Sequence, residues 1–292
     1  MRFNLACFLL AMCCYSCLAQ DSIKTVFWQV TKNGTKDTSY LFGTDHEVNS
    51  SFFANYPGAL QKLKQSSVLF VEEEAVNTQS AKKEQNPKIA EPFNEDKWNQ
   101  LLDTGEQKIF KQFTNKAEDK SYYKQSPLSA MLKLYRLYAI NFCDTSRRDS
   151  SNIIMDAFIE QQAILAHKTI RYLDEDQTKI IADAAATMPK KTEKGEAEGC
   201  AELMKYMLNE DLSGCKLMDS YKNFQFDYAF DKHNTGKPDL ATERNKLWLL
   251  KLDVAFKKDR CFVAMGFRHL PHVEGLIVLL RKSGYTLTPI LQ

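Results

Sequence analysis

Cys261-Phe262-Val263-Ala264-Met265-Gly266-Phe267-Arg268-His269 is the stretch on which the reading of this chain turns. Five apolar residues in so short a run, closed by glycine, predict a strand buried on both faces. The glycine lets the backbone turn sharply or approach a ligand, so the histidine stands at the rim of a sheet. The same order occurs near the other end, where Ser39-Tyr40-Leu41-Phe42 runs into Gly43-Thr44-Asp45-His46. Each block is followed by apolar residues at helical spacing: Ala59, Leu60 and Leu63 after the first, and Val273, Leu276, Ile277 and Leu280 after the second. Arg281 and Lys282 suit the last turn of that second helix and Gly284 its stop. The two ends therefore echo one another in pattern, strand then Gly-x-x-His then helix, without a repeat in the residues themselves.

Working outward, Thr25 to Val30 and Ser39 to Phe42 flank Asn33-Gly34 and predict a hairpin. Ser67-Val68-Leu69-Phe70-Val71 predicts a third strand that ends on Glu72-Glu73-Glu74, Thr169 to Leu173 a fourth, and Tyr285 to Ile290 a closing one. Between them the pattern is helical. Ser126-Pro127 is an N-cap followed by proline at the first helical position, before Leu128, Met131, Leu132 and Tyr135. Ile154, Phe158 and Leu165 mark a further helix, and Leu247, Leu250 and Val254 another. Two polar stretches, Asn77 to Glu95 and Pro189 to Gly199, predict surface loops. The C-terminal part has too few elements to close a core alone and needs the N-terminal strands beside it. The fold class expected is α+β: a central mixed β-sheet with flanking helices, in one domain spanning residues 20–292 with a helical middle.

Among the 292 residues, 39 Lys and Arg stand against 37 Asp and Glu, so there is no basic excess to suggest nucleic acid. Met1-Arg2, an apolar run from Leu5 to Met12 and small residues ending at Ala19 follow the order of a secretory signal peptide covering residues 1–19. The expected location is secreted or periplasmic, with a lipoprotein the lesser alternative, and no later run is apolar enough to span a bilayer. Removal of the leader leaves Cys143, Cys200, Cys215 and Cys261. Cys200 and Cys215 bracket Ser213-Gly214 and are the preferred disulfide pair, against buried thiols as the alternative.

The chemistry rests on the two rims. His46 and His269, with Glu72 just past its own strand, offer two imidazoles and a carboxylate, an adequate set for Zn, Mn, Fe or Co with positions left open. A histidine at a strand end is more often a hydrogen-bonded structural residue, and the chain has no helical His-x-x-x-His to make the spacing specific.

The order of these motifs resembles the TraB/PrgY/GumN family. Tyr40 to His46 and Ser67 to Glu72 are similar to its N-terminal signature. Glu243-Arg244-Asn245 with Trp248, then Phe262 to Leu270, Gly275-Leu276, Leu279-Leu280 and Gly284-Tyr285, are similar to its C-terminal one. Asp156 and Leu173-Asp174-Glu175-Asp176-Gln177 match weaker positions of the family. Asp45, Arg268 and His272 depart from its pattern, the last where glycine is usual. The resemblance implies a domain like the erythromycin-esterase and ChaN-type proteins and a relation to the metal-dependent Tiki proteases. It implies His46, Glu72 and His269 as metal ligands, the same three with Arg244 as catalytic residues, and Gly43, Gly266 and Asn245 lining the cofactor. The cofactor so implied is a divalent metal, Mn, Co or Zn, and the substrate a peptide or protein. Two functions are expected from this: a metal-dependent hydrolase, foremost a peptidase, or a binding protein for metal, haem, peptide or glycan.

Overall fold

The computed structural model describes residues 23–32, 37–73, 93–148, 153–234 and 240–292. The leader, the Asn33-Gly34 turn and most of the first polar stretch lie outside them. Strands β1 (Phe27–Thr31) and β2 (Ser39–Thr44) form the expected antiparallel pair, with Phe27 opposite Phe42 and Gln29 opposite Tyr40. Helix α1 (Pro57–Gln65) then leads to β3 (Val68–Val71). The middle of the chain holds α2 (Glu95–Leu101), α3 (Thr104–Lys116), α4 (Pro127–Tyr138) and α5 (Met155–Leu165). After β4 (Thr169–Tyr172) come α6 (Gln177–Thr187), α7 (Lys190–Asn209), α8 (Lys216–Lys222) and α9 (Leu240–Phe256). The chain closes with β5 (Cys261–Gly266), α10 (Leu276–Lys282) and β6 (Thr286–Pro289). Among the described residues no helix is long and apolar enough to cross a membrane.

The fold is α+β around one mixed sheet of strand order β4-β3-β5-β2-β1-β6. β5 lies between β2 and β3 and runs parallel to both, and β4 is parallel to β3. Their sequences explain the placement. Every residue of β2, β3 and β5 is buried, as strands covered on both faces must be, whereas β4 is largely exposed at the edge. Because the inner strands are parallel, their C-terminal ends meet at one rim. That rim receives the residues after Gly43, after Val71 and after Met265. Phe42, Phe70 and Val263 share one cluster of buried residues, so the two ends of the chain build a common core.

A second cluster, around Trp98, Phe110, Tyr138 and Met204, is made by α2, α3, α4 and α7. Of the middle helices expected to lie on the sheet, α5 contributes Met155, Ile159 and Ala163 to the sheet's cluster, while α4 belongs to the second. Pro189 to Gly199, expected as a loop, is the first half of α7. Its Lys and Glu residues are good helix formers, and Ala197, Cys200, Ala201, Met204 and Met207 give the helix a buried stripe of small and flexible side chains.

The disulfide also differs from expectation. Cys143 pairs with Cys215, Cα to Cα 5.4 Å, and Cys200 is not bonded to Cys215. Helix α7 turns Cys200 into the helical cluster, where its thiol donates to the Pro127 carbonyl at 3.5 Å. A π-helical turn, Ala139–Cys143, ends α4 and carries Cys143 to the Ser213–Cys215 turn.

Candidate functional site

Three loops leave the shared rim, and each carries one of the expected residues. Glu72 follows β3 and is buried. Its Oε1 accepts a hydrogen bond from the Gly266 backbone N–H at 2.7 Å. The same oxygen lies 3.6 Å from His46 Nε2 and 3.7 Å from His269 Nε2. The two Gly-x-x-His histidines therefore converge on one carboxylate oxygen although 223 positions separate them in the numbering from 46 to 269. Gly266 makes the approach feasible: a Cβ there would stand 3.1 Å from both Glu72 Oε1 and His46 Nε2. Gly43 serves packing between the two motifs, since its Cβ would meet Leu270 Cδ1 at 2.7 Å.

The far oxygen of Glu72 faces cations and donors. Arg244, from the first turns of α9, pairs through Nη2 with Glu72 Oε2 and also with Asp174 Oδ2, and its Nε reaches Asp174 Oδ2 at 3.0 Å. Gln177 Nε2 donates to Glu72 Oε2 at 3.0 Å. Trp248, one turn on from Arg244, donates its indole N–H to Asp174 Oδ1 at 2.7 Å. Burial works to raise the Glu72 pKa. The close imidazole of His46, with the charge of Arg244, outweighs it and holds the carboxyl well below its usual range. Arg244 is likewise held charged by Glu72 and Asp174 against the cost of burial.

The surroundings push the two histidines in opposite directions. His269 is buried and stacked on Trp248 with ring centroids 4.1 Å apart. Its Nδ1 lies 2.7 Å from Asn245 Oδ1. The Asn245 amide nitrogen donates to the carbonyls of His269 and Glu274, at 3.2 and 3.0 Å, which fixes the amide with its oxygen toward the ring. The ring proton is thus on Nδ1, and Nε2 presents a bare lone pair to the site. Burial, with the Arg244 and His46 charges, brings the pKa down to about 4 against the pull of Glu72.

His46 is the opposite case. Its ring is 49 % exposed, and Nδ1 lies 3.0 Å from Asp156 Oδ2. The charge of Asp156, then hydrogen bonds to Asp156 and Glu72, raise its pKa well above the usual value despite desolvation. Asp156 is held in turn by the Thr44 hydroxyl at 2.7 Å.

Of the residues that depart from the family pattern, Asp45 does not close the cleft against Arg268. Its Oδ1 accepts from the Glu47 N–H at 2.9 Å, and among the described residues it forms no ion pair with Arg268, whose charge acts on it only at longer range. His272 has φ of 71°, the left-handed region glycine adopts most easily, and its N–H donates to the Tyr228 carbonyl at 2.8 Å.

A family model describing the TraB/PrgY/gumN family matches residues 26–289, nearly the whole chain and every element of this site. The chain belongs to the TraB/PrgY/gumN family. No curated protein and no solved structure matches it. Within the family frame, the structure adds Asp156, Asp174, Gln177 and Trp248 to the site. Sequence reading had placed Asp156 and the run Leu173 to Gln177 at weaker family positions without a role, and the Arg244, Trp248 spacing of four was the one signal that these two share a helix face.

Among the described residues no group of three or more His, Cys, Asp or Glu side chains is arranged to hold a metal ion as it stands. The donor chemistry nevertheless fits one. Two bonds of about 2.1 Å at a tetrahedral centre put their donor atoms roughly 3.4 Å apart, close to the 3.6 and 3.7 Å separations around Glu72 Oε1. Binding an ion there would displace the proton that Asp156 and Glu72 favour on His46.

Proposed function

We propose that this protein is a metal-dependent hydrolase acting outside the cytoplasm, foremost a peptidase, with His46, Glu72 and His269 as the ligands of a divalent Mn, Co or Zn ion. The observation that carries the reading is the convergence of both histidine Nε2 atoms on one Glu72 oxygen, at 3.6 and 3.7 Å. Such an ion polarises a carbonyl and lowers the pKa of water when bound.

The chain's own residues prepare the site. Asn245 Oδ1 accepts the hydrogen bond from Nδ1–H of His269, which leaves the Nε2 lone pair to the site. Asp156 takes Nδ1 of His46, so that this ring also directs Nε2 inward once its second proton is lost. Carboxylate partners of this kind orient metal-binding histidines and raise their basicity. His46 and Arg244 hold Glu72 toward its ionised form and Gln177 donates to it, which suits a ligand and makes it a weak base. Arg244 is anchored by Asp174 and Trp248, so its guanidinium is already oriented beside the centre where charge would develop on a substrate carbonyl. Peptide as the substrate class comes from the likeness to the Tiki proteases, and the location from the leader-like residues 1–19.

The test is hydrolysis of an unstructured peptide mixture by chelator-treated protein, with and without added Mn, Co or Zn. Cleavage should require the ion and vanish in Glu72→Gln. A folded protein that binds the ion and cleaves nothing would place it with non-catalytic binding proteins for metal, haem, peptide or glycan.

A further inference from the structure

Helix α9 does more than present Arg244 and Asn245 to the site. Its inner face buries Ala241, Asn245, Trp248, Leu252, Ala255 and Phe256. Leu247, Leu250 and Val254, the apolar residues that mark this helix in the sequence, lie on the opposite face and are exposed, at 62, 67 and 54 %. A helix apolar on both sides is one that expects cover on both. The exposed residues are also ordered. Glu243, Leu247, Leu250, Val254 and Lys257, all exposed, follow one another at spacings of four, three, four and three, the repeat of a coiled-coil seam.

We propose that this face pairs with a second copy of the same chain, α9 against α9 in antiparallel order about a twofold axis at Leu250. The argument is charge complementarity built into the spacing. Pairing about Leu250 sets Leu250 against itself and Leu247 against the partner's Val254. At each end it sets Glu243 against the partner's Lys257, an opposite charge. One step off the seam, Lys246 faces the partner's Asp253. Every layer is satisfied by the chain's own sequence, as a twofold interface requires. Parallel pairing would instead oppose Glu243 to Glu243 and Lys257 to Lys257. Among the described residues Glu243 pairs with Lys246 at 2.6 Å, and Lys257, one residue past the end of α9, pairs with the half-buried Asp253 at 2.6 Å; exposed pairs such as Glu243–Lys246 are of small worth. The like charge nearest the axis, Lys251, is drawn back by its hydrogen bond to the Leu173 carbonyl at 2.8 Å. The pairing would also tie Arg244 and Asn245 of two sites to one rigid helix pair.

Sedimentation of the purified protein over a concentration series tests this. The wild type should show a monomer–dimer equilibrium, and Leu250→Glu, a substitution at an exposed position, should be monomeric with an unchanged circular dichroism spectrum. Glu243→Lys and Lys257→Glu should each weaken the dimer about tenfold, since each turns attraction into repulsion at both ends. A mixture of the two variants should form heterodimers, and the double variant in one chain should recover wild-type association. A wild type that stays monomeric, a dimer indifferent to Leu250→Glu, or charge variants whose mixture fails to associate would each overturn the proposal.

Discussion

Replacing Glu72 by glutamine changes one oxygen to an amide and leaves the shape alone, which makes its cost readable from the neighbours. Oε1 accepts from the Gly266 N–H, and Oε2 accepts from Arg244 and from Gln177. The Gly266 N–H and Arg244 can only donate, and Gln177 presents its NH2. Whichever way the glutamine amide is turned, its NH2 confronts one donor set: the backbone of Gly266 or the side chains of Arg244 and Gln177. A buried donor left facing a donor costs about 1 to 3 kcal/mol, and a charge-assisted bond lost from the buried Arg244 costs about as much again. Asp174 still holds Arg244, and the relief of no longer burying a carboxylate offsets part of the loss. The net expectation is a destabilisation of about 3 kcal/mol in metal-free protein, read as a lower urea midpoint with an unchanged slope. Glu72→Gln as stable as the wild type, or more stable, would refute the claim that the carboxylate ties this rim together and would mark it as a strained group retained for activity alone.

Acid should act on the site through His269. Its folded pKa of about 4 lies below the unfolded value near 6.5, so the unfolded chain takes the proton first and stability falls as pH drops from 6.5 to 4, by about 3 kcal/mol in metal-free protein. Glu72, depressed in the folded state, adds a loss in the same direction below its unfolded value near 4.5. Urea titrations at several pH values should therefore find a shallower dependence in His269→Asn than in wild type, and equal slopes would contradict the assignment. Gly266→Ala should crowd Glu72 Oε1 and His46 Nε2 at 3.1 Å, costing about 1 to 3 kcal/mol of stability and lowering metal affinity at least tenfold; unchanged metal binding in a calorimeter would argue against the close approach. Cys143→Ser should cost about 2 to 4 kcal/mol, because the bond spans 72 positions, and a peptide map under non-reducing conditions should recover Cys143 linked to Cys215, while a Cys200 to Cys215 link would contradict the fold of the helical cluster.

What could be read from sequence was the sheet. Short apolar runs closed by glycine or acidic residues permit only a strand covered on both faces, and the need to bury Phe42, Phe70 and Val263 together placed both histidines at one rim. Helix phases were harder. In α4 the buried residues are Pro127, Ala130, Leu134 and Tyr138, one step away from the apolar residues that mark the helix in sequence, and in α5 Leu165 is exposed while Met155, Ile159 and Ala163 are buried. On α9 both faces are apolar, so spacing shows the helix but only the tertiary partner shows which face is buried. The polar half of α7 reads as a loop by composition because its buried stripe consists of alanine, cysteine and methionine. The disulfide was illegible for a geometric reason: sequence proximity of Cys200 and Cys215 says nothing about where a helix points its side chains. Asp156 and Asp174, which fix His46 and Arg244, matched only weaker family positions, since nothing in their immediate sequence announces contacts 110 and 70 positions away.

The central claim is that two histidines and one glutamate form a metal centre, and metal content tests it most directly. Wild-type protein, stripped with chelator and dialysed against Mn, Co or Zn, should retain about one ion per chain. The His46→Ala, His269→Ala double variant, folded by circular dichroism, should retain none. Equal metal in both proteins, or none in the wild type at any of the three ions, would contradict the account.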